Sequence, residues 1–211
     1  MTNFIPILPI DTVIYPGETY RLHVAEEQHM QLVTDCYGDN KPFGIIPVIN
    51  GQPSEMGTSV SITEVAEVWT DGRMNIVVKG YEVFKTLEIL KNIPDKLYGG
   101  TIATYPDNSR QPNPTLTWKV TQLLKDFHHL VSFTPYFDKP ETERGSYDFA
   151  HTAGLSLREE YELLELMQES QRLEYLRRHL VKTIPTLTHI QSMLRRAAQG
   201  NDFKNHPLYK L

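Results

Sequence analysis

The sequence contains a single cysteine, Cys36, among its 211 residues. One thiol cannot form an internal disulfide, and it cannot supply the thiolate ligands of a structural zinc site. No run of 18 apolar residues is present, so the sequence has no pattern typical of a membrane-spanning helix. The N-terminus lacks the basic and apolar regions of a signal peptide. These absences predict a protein of the reducing cytoplasm that does not associate with membranes.

Motifs that carry common enzyme chemistry are also missing. The sequence has no G-x-x-x-x-G-K-[ST] phosphate loop, no G-x-G-x-x-G after a strand, no H-E-x-x-H and no G-x-S-x-G. His128 and His129 are adjacent, so on a helix they point about 100° apart and cannot share one metal ion. We therefore predict no catalytic residue, no bound metal and no cofactor. A catalytic site assembled from residues distant in sequence is an alternative that spacing does not test.

The charge of the chain argues against a nucleic-acid-binding protein. The formal net charge is −5 and the sequence pI is about 5.9, whereas such proteins usually carry a basic surface. Acidic residues outnumber basic ones over 1–110 and over 138–169, and the reverse holds over 171–211. Neighbouring helices that pair opposite charges would explain this distribution, so we do not interpret the basic segment as a binding surface.

The first 105 residues have the pattern of short antiparallel strands. Tyr15-Pro16-Gly17 is a turn signal, because proline presets φ and glycine accepts a positive φ. Asp71-Gly72 between two apolar runs predicts a hairpin, and Gly80 predicts a bulge or kink in the strand that follows. Pro16, Gly17, Asp71 and Gly72 are therefore structural turn residues. Within this half, 26–37 predicts one short helix.

The period of the apolar residues changes from 2 to 3.6 after a turn-rich linker at 106–114. Leu116 to Val131 follows one amphipathic helical stripe. Ser156 and Glu159 form a capping-box motif at the start of a second helix. Two further patterns at 172–182 and 186–198 predict two more helices, with Pro185 early in the last and Gly200 past its end. We predict an α+β fold, a small β-barrel or sandwich over 1–105 followed by a helical bundle over 115–211.

Aromatic residues of the β-rich half are the candidates for ligand binding. Core packing explains most of them, but an exposed subset would form a patch able to hold an extended apolar peptide. The peptide-binding candidates are Tyr15, Tyr20, Phe43, Trp69, Tyr81 and Phe84.

Several ordered segments resemble the N-terminal substrate-binding domain of Lon proteases and its stand-alone bacterial relatives. They are "LPIDTVIYPGETYRLHV", "FGIIPVI", "MGTSVSITEVAEVWTDGRMNIVVKG" and, in the helical half, "LREEYELLELMQESQRLEYLRRHL". The resemblance implies a PUA-like barrel packed against helices. It also implies recognition of unfolded or partly folded polypeptides, with a separate ATPase or protease as a candidate partner. The ATPase and Ser–Lys peptidase modules of Lon are not found in these 211 residues, so we expect a non-catalytic binding module or adaptor.

Two other hypotheses stay open from the residues alone. A PUA-like module that binds a small molecule or a protein partner would show a deep pocket with a few convergent polar groups. A cryptic enzyme would show a strongly perturbed titratable group in a cleft.

Overall fold

The computed structural model describes residues 2–204, with side chains described for residues 3–198. A β-rich half precedes a helical half. The strands are β1 (Thr2–Ile10), β2 (Thr19–Val24), β3 (Phe43–Ile49), β4 (Gln52–Pro53), β5 (Met56–Val68), β6 (Met74–Leu90) and β7 (Gly100–Thr104). The helices are α1 (Glu27–Gly38), α2 (Pro114–Leu130), α3 (Ser146–Phe149), α4 (Leu157–Glu165) and α5 (Glu169–Lys204). The predicted α+β class and the order of the two halves are confirmed.

The strands close on themselves because β1 pairs with two different neighbours. Its first half, Thr2–Pro6, pairs antiparallel with β7, and its second half, Ile7–Ile10, pairs parallel with β3. Antiparallel pairs from β7 to β6, β6 to β5 and β5 to β3 complete the circuit. The long strand β6 is shared, since β2 pairs with its first half and β7 with its second. Closure removes most of the free strand edges that an open sheet would expose.

The turn at Pro16 and Gly17 is held against β6 at Gly80. Glu18 N donates to Tyr15 O at 3.1 Å, and Gly17 has a φ of +93°, a region that favours glycine. Gly17 N donates to Gly80 O and Gly80 N donates to Glu18 O, both at 2.9 Å. A Cβ at Gly80 would collide with the carbonyl oxygen of Tyr15. The pairing of β5 with β6 shifts register at Gly80, which is the predicted bulge.

The hairpin between β5 and β6 turns through three residues, Thr70, Asp71 and Gly72. Trp69 N donates to Arg73 O at 2.8 Å, and Gly72 N donates to Trp69 O at 3.0 Å. Gly72 has a φ of +89°, the positive value that this loop requires at its last residue.

Three of the five predicted helices are confirmed, as α1, α2 and α4, and the prediction of two separate helices after them is wrong. Periodicity located α1 and α2 to within about two residues, and Ser156 caps α4 with Glu159 as its capping-box partner. The patterns at 172–182 and 186–198 are one continuous helix, α5, which passes through both Pro185 and Gly200. Proline removes one backbone donor from this helix, yet the apolar stripe of Leu173, Leu180 and Leu187 keeps one phase across it.

One apolar cluster joins the barrel to the helices. Val13, Tyr15, Met56 and Val83 of the β-rich half pack with buried residues of α2, α4 and α5. A second cluster fills the barrel itself, and α1 contributes Leu32, Val33 and Cys36 to it. The two halves are therefore joined by continuous apolar packing and by the segment from Thr104 to Pro114.

Candidate functional site

A cavity of about 960 Å³ lies at the junction of the barrel turn, the connecting segment, α2 and the loop before α3. We call it the junction groove. One wall is formed by α2 and the connecting segment, and the other by residues 139–148. Its lining residues are Pro16, Arg110, Pro112, Pro114, Thr117, Trp118, Thr121, Lys139, Glu141, Thr142, Glu143, Arg144, Gly145, Ser146, Tyr147, Asp148 and Glu169.

Trp118 and nearby prolines give the first wall an exposed apolar surface. Pro114 is the first residue of α2, where proline is favoured, and Asn113 caps the helix by accepting from Leu116 N at 3.2 Å. This cap fixes the first turn of α2, and Trp118 in the next turn is 63% exposed. The indole thus stands on an ordered helix with most of its surface available for contact.

A fully buried arginine lies beneath the groove and satisfies all five of its donor positions. Arg172 Nε donates to Ser146 Oγ at 2.9 Å, and Nη2 donates to Glu169 Oε2 at 2.8 Å. Its remaining donors contact Asn108 Oδ1 and two backbone carbonyls at 2.7–2.8 Å. Glu169 also accepts from Ser146 N at 2.8 Å and from Ser146 Oγ at 2.7 Å. Because a buried charge is tolerated only when it is paired and hydrogen-bonded, this network holds three segments in one arrangement.

A second polar cluster joins the barrel turn to α4. His151 Nδ1 lies 2.8 Å from Glu160, and His151 Nε2 lies 3.2 Å from Glu18. Burial alone would lower the pKa of His151, but the hydrogen bonds and charges of Glu160 and Glu18 outweigh it and raise the pKa to about 10. Tyr15 supports the cluster, since its hydroxyl donates to Glu160 O at 2.8 Å. Burial first, and then the Glu160 and Glu18 charges, raise the pKa of Tyr15.

Tyr147 connects the two clusters at the wall of the groove. The centroid of its ring lies 5.1 Å from that of Tyr15, on which it stacks, and the guanidinium of Arg172 lies 4.3 Å from the Tyr147 ring centroid. Asn108 Nδ2 donates to the Tyr147 hydroxyl at 3.0 Å. The groove wall is therefore rigidly positioned by partners from both halves of the chain.

The charges that line the groove are partly paired among themselves. Lys139 contacts Asp148 at 2.7 Å, and Glu141 contacts Lys125 of α2 at 3.0 Å. Within residues 3–198, Arg110 and Arg144 form no ion pair, and neither does the exposed Glu143.

A cavity of similar volume, about 920 Å³, lies between β1 and α1. Its charged groups pair with one another: Lys96 contacts Asp35 at 2.7 Å and Lys41 contacts Asp39 at 2.6 Å. The Lys96 and Tyr98 hydrogen bonds lower the pKa of Asp35 despite some burial. With its charges satisfied internally, this cavity has less to offer a ligand than the junction groove.

The six aromatic candidates do not form one surface. Tyr15, Phe43 and Phe84 are each 0% exposed and pack in the core, so they present no surface to a peptide. Tyr81 is 47% exposed, and its carbonyl accepts from Arg110 at 2.9 Å, which places it beside the groove. Trp69 and Tyr20 are half-buried, and Trp69 contacts Arg73 at the distant β5–β6 hairpin. Strand alternation alone does not show which side of a closed barrel faces its core.

The structure shows no obvious site for other chemistry in the part of the chain that it describes. No group of three or more His, Cys, Asp and Glu side chains that could hold a metal is found between residues 2 and 204. Burial raises the pKa of Cys36 to about 11. Over the same residues, no helix combines the length and the apolar character of a membrane span.

Comparison with known proteins supplies the family. The model of the ATP-dependent protease La (LON) substrate-binding domain matches residues 5–182. The chain belongs to the Lon substrate-binding domain family. The resemblance noted in the strand and helix motifs is thereby confirmed.

Two solved structures share the fold of this Lon-family chain. One is the Lon N-terminal domain protein from Xanthomonas campestris, with 23% identity, a TM-score of 0.64, and coverage of 82% of this chain and 96% of that one. The other is the N-terminal domain of Mycobacterium avium complex Lon protease, with 14% identity, a TM-score of 0.60, and coverage of 85% and 98%. A comparison with curated proteins finds no match. Membership in the family supports a role as a substrate-binding module.

Proposed function

We propose that this Lon-family chain binds extended segments of unfolded polypeptide in the junction groove and does not cleave them. The observation that supports the proposal is Trp118, which is 63% exposed near the capped N-terminus of α2 and lines a groove of about 960 Å³. Tryptophan supplies a large apolar contact at low entropic cost, which is why it dominates many binding surfaces. Pro112 and Pro114, which are both exposed, extend the apolar wall.

The groove suits a flexible chain because its own shape is fixed. Tyr147 is held between Tyr15 and Arg172, and Arg172 ties the loop before α3 to α5. A rigid site loses little conformational entropy on binding, so most of the ordering cost falls on the ligand. Groove-binding of this kind can be weak for each segment and still serve many different substrates.

The two tryptophans of the chain allow a direct test. In Trp69→Phe, Trp118 is the sole tryptophan and reports on the groove. In Trp118→Phe, Trp69 reports on the distant hairpin. Titration with a permanently unfolded casein variant that lacks tryptophan should shift the emission of Trp118 to shorter wavelength and leave that of Trp69 unchanged. The bound casein should keep its full length on a gel.

Three results would contradict the proposal. If casein does not bind when the protein is at tens of micromolar, the proposal of polypeptide binding is wrong. Equal shifts for both reporters would place binding outside the groove. A Trp118 shift caused by a low-mass lysate fraction, with none caused by casein, would favour the small-molecule alternative, whose pockets have volumes similar to this groove.

A further inference from the structure

A second cavity of about 400 Å³ adjoins the junction groove. The two cavities share Thr121 and Arg144, which therefore stand at the boundary between them. We call the second one the side cavity. It lies between α2 and the loop that follows α2, and that loop supplies its apolar lining: Phe133, Pro135, Tyr136 and Phe137.

The loop exposes more aromatic surface than core packing requires. Tyr136 is 87% exposed and Phe133 is 49% exposed. Trp118 lies on the groove side of the boundary. Bulky apolar contacts are thus available on both sides of Arg144.

Arg144 is held in place without an ion pair. Its guanidinium lies 4.1 Å from the ring centroid of Phe137, and its Nε donates to Lys139 O at 2.8 Å. Stacking and a single carbonyl contact orient the guanidinium, and no carboxylate of residues 3–198 pairs with it. An oriented arginine of this kind is suited to bind a carboxylate through two parallel hydrogen bonds.

The surroundings of Arg144 favour a negative ligand. The side cavity is lined by Arg144 and by Lys125, whose ammonium pairs with Glu141 at 3.0 Å, and no Asp or Glu is among its lining residues. In the groove, Glu141, Asp148 and Glu169 are each paired with a cation, so Glu143 is the lining carboxylate left to oppose Arg110 and Arg144.

We infer that the groove and the side cavity together bind one extended segment in which two bulky apolar residues flank an acidic residue. One apolar residue contacts Trp118 and the other contacts the aromatic loop, while the acidic side chain between them pairs with Arg144. The inference rests on the proposed function and defines the class of segment that is preferred.

The test uses fluorescein-labelled peptides in a Gly/Ser background, measured by anisotropy with the full chain. The reference peptide has two phenylalanines flanking one glutamate, in a short series that differs in their spacing. Matched peptides replace the glutamate by glutamine or lysine, or the phenylalanines by serine. The glutamate peptide should bind about tenfold more tightly than the glutamine peptide, as is typical for a charged hydrogen bond. In Arg144→Gln that preference should disappear, whereas Arg158→Gln, an exposed arginine of α4, should keep it.

The outcomes separate this inference from the proposed function. Peptides that bind in a Trp118-dependent way with equal affinity for Glu, Gln and Lys would overturn the inference and leave the function standing. Failure of every peptide and of casein to bind would overturn both. Arg144→Lys should retain the preference for glutamate over lysine in part, so complete loss in that variant, with an unchanged melting temperature, would contradict a charge-based contact.

Discussion

His151 lies 3.2 Å from the carboxylate of Glu18, a residue 133 positions earlier in the chain. The contact crosses from the helical half to the first turn of the barrel. Glu160 of α4 faces the same imidazole from its other side at 2.8 Å. With a pKa raised to about 10, His151 is protonated at neutral pH and lies between two carboxylates. The ion triad therefore fastens the turn at Pro16, which forms one edge of the groove, to the helices.

This triad predicts a pH dependence of stability. A histidine whose pKa is raised on folding contributes stability that is fully present below its ordinary value of 6.5 and is lost as the pH rises through about 10. We expect His151→Gln to be destabilised by about 1–2 kcal/mol at pH 6, since solvent screens the side chain, which is 36% exposed. Urea denaturation of both proteins from pH 6 to pH 10 measures this difference. If the difference in free energy of unfolding stays constant or increases toward pH 10, the ion triad at His151 does not stabilise the fold as described.

A second prediction concerns the turn itself. Gly17 has a φ of +93°, and a Cβ there would meet only Arg110, at 4.0 Å. Gly17→Val should therefore cost about 1–2 kcal/mol or more through backbone strain, since the Cβ itself does not collide with any neighbour. Gly38→Ala is the control, because Gly38 ends α1 with open space around it. That substitution should be neutral or slightly stabilising. If Gly17→Val melts at the same temperature as the parent, the turn does not require a positive φ at this position.

Much of the secondary structure follows from local patterns. The amphipathic stripe of α2 and the capping box at Ser156 each depend on residues within one or two turns, so the sequence alone locates them. The closed barrel does not follow in this way, because β1 divides its pairing between β3 and β7 and both partners are distant in sequence. The continuity of α5 through Pro185 depends on packing of its leucine stripe, which outweighs one lost hydrogen bond.

The candidate site was harder to predict for a related reason. Trp118 lies two residues after Leu116, about 200° around α2 from the apolar stripe, so periodicity indicates an exposed side chain but does not show which other segments form a groove beside it. Arg172 looks like one of several arginines in a charged helix, and only the fold brings Asn108 and Ser146 to it. Tyr15 is a peptide-binding candidate by sequence, yet in the structure it lies beneath the wall and stacks on Tyr147.

The third prediction tests whether Trp118 acts in binding and not in folding. Trp118→Ser should lower affinity for unfolded casein by at least about tenfold while changing the free energy of unfolding by no more than about 0.5 kcal/mol, because exposed side chains contribute little to stability. Val68→Ser is the matched control, since Val68 is 62% exposed at the distant hairpin and Trp118 is 63% exposed. Equal loss of binding in both variants would indicate non-specific apolar association. Isothermal titration calorimetry together with urea denaturation measures both quantities.

The last prediction addresses the network beneath the groove. Arg172→Met leaves Glu169 buried without its cation and removes five hydrogen bonds, so we expect a loss of about 3–5 kcal/mol in the free energy of unfolding. Adding Glu169→Gln removes the buried charge, and the double variant should recover part of that loss. Arg178→Met is the control: Arg178 also pairs with a glutamate, at 2.8 Å, but it is 76% exposed and should cost less than about 1 kcal/mol. Because Arg172 orders the loop that forms the second wall, the double variant should also bind casein more weakly than the parent even where it is fully folded. A double variant with parental affinity would show that the network supports stability alone.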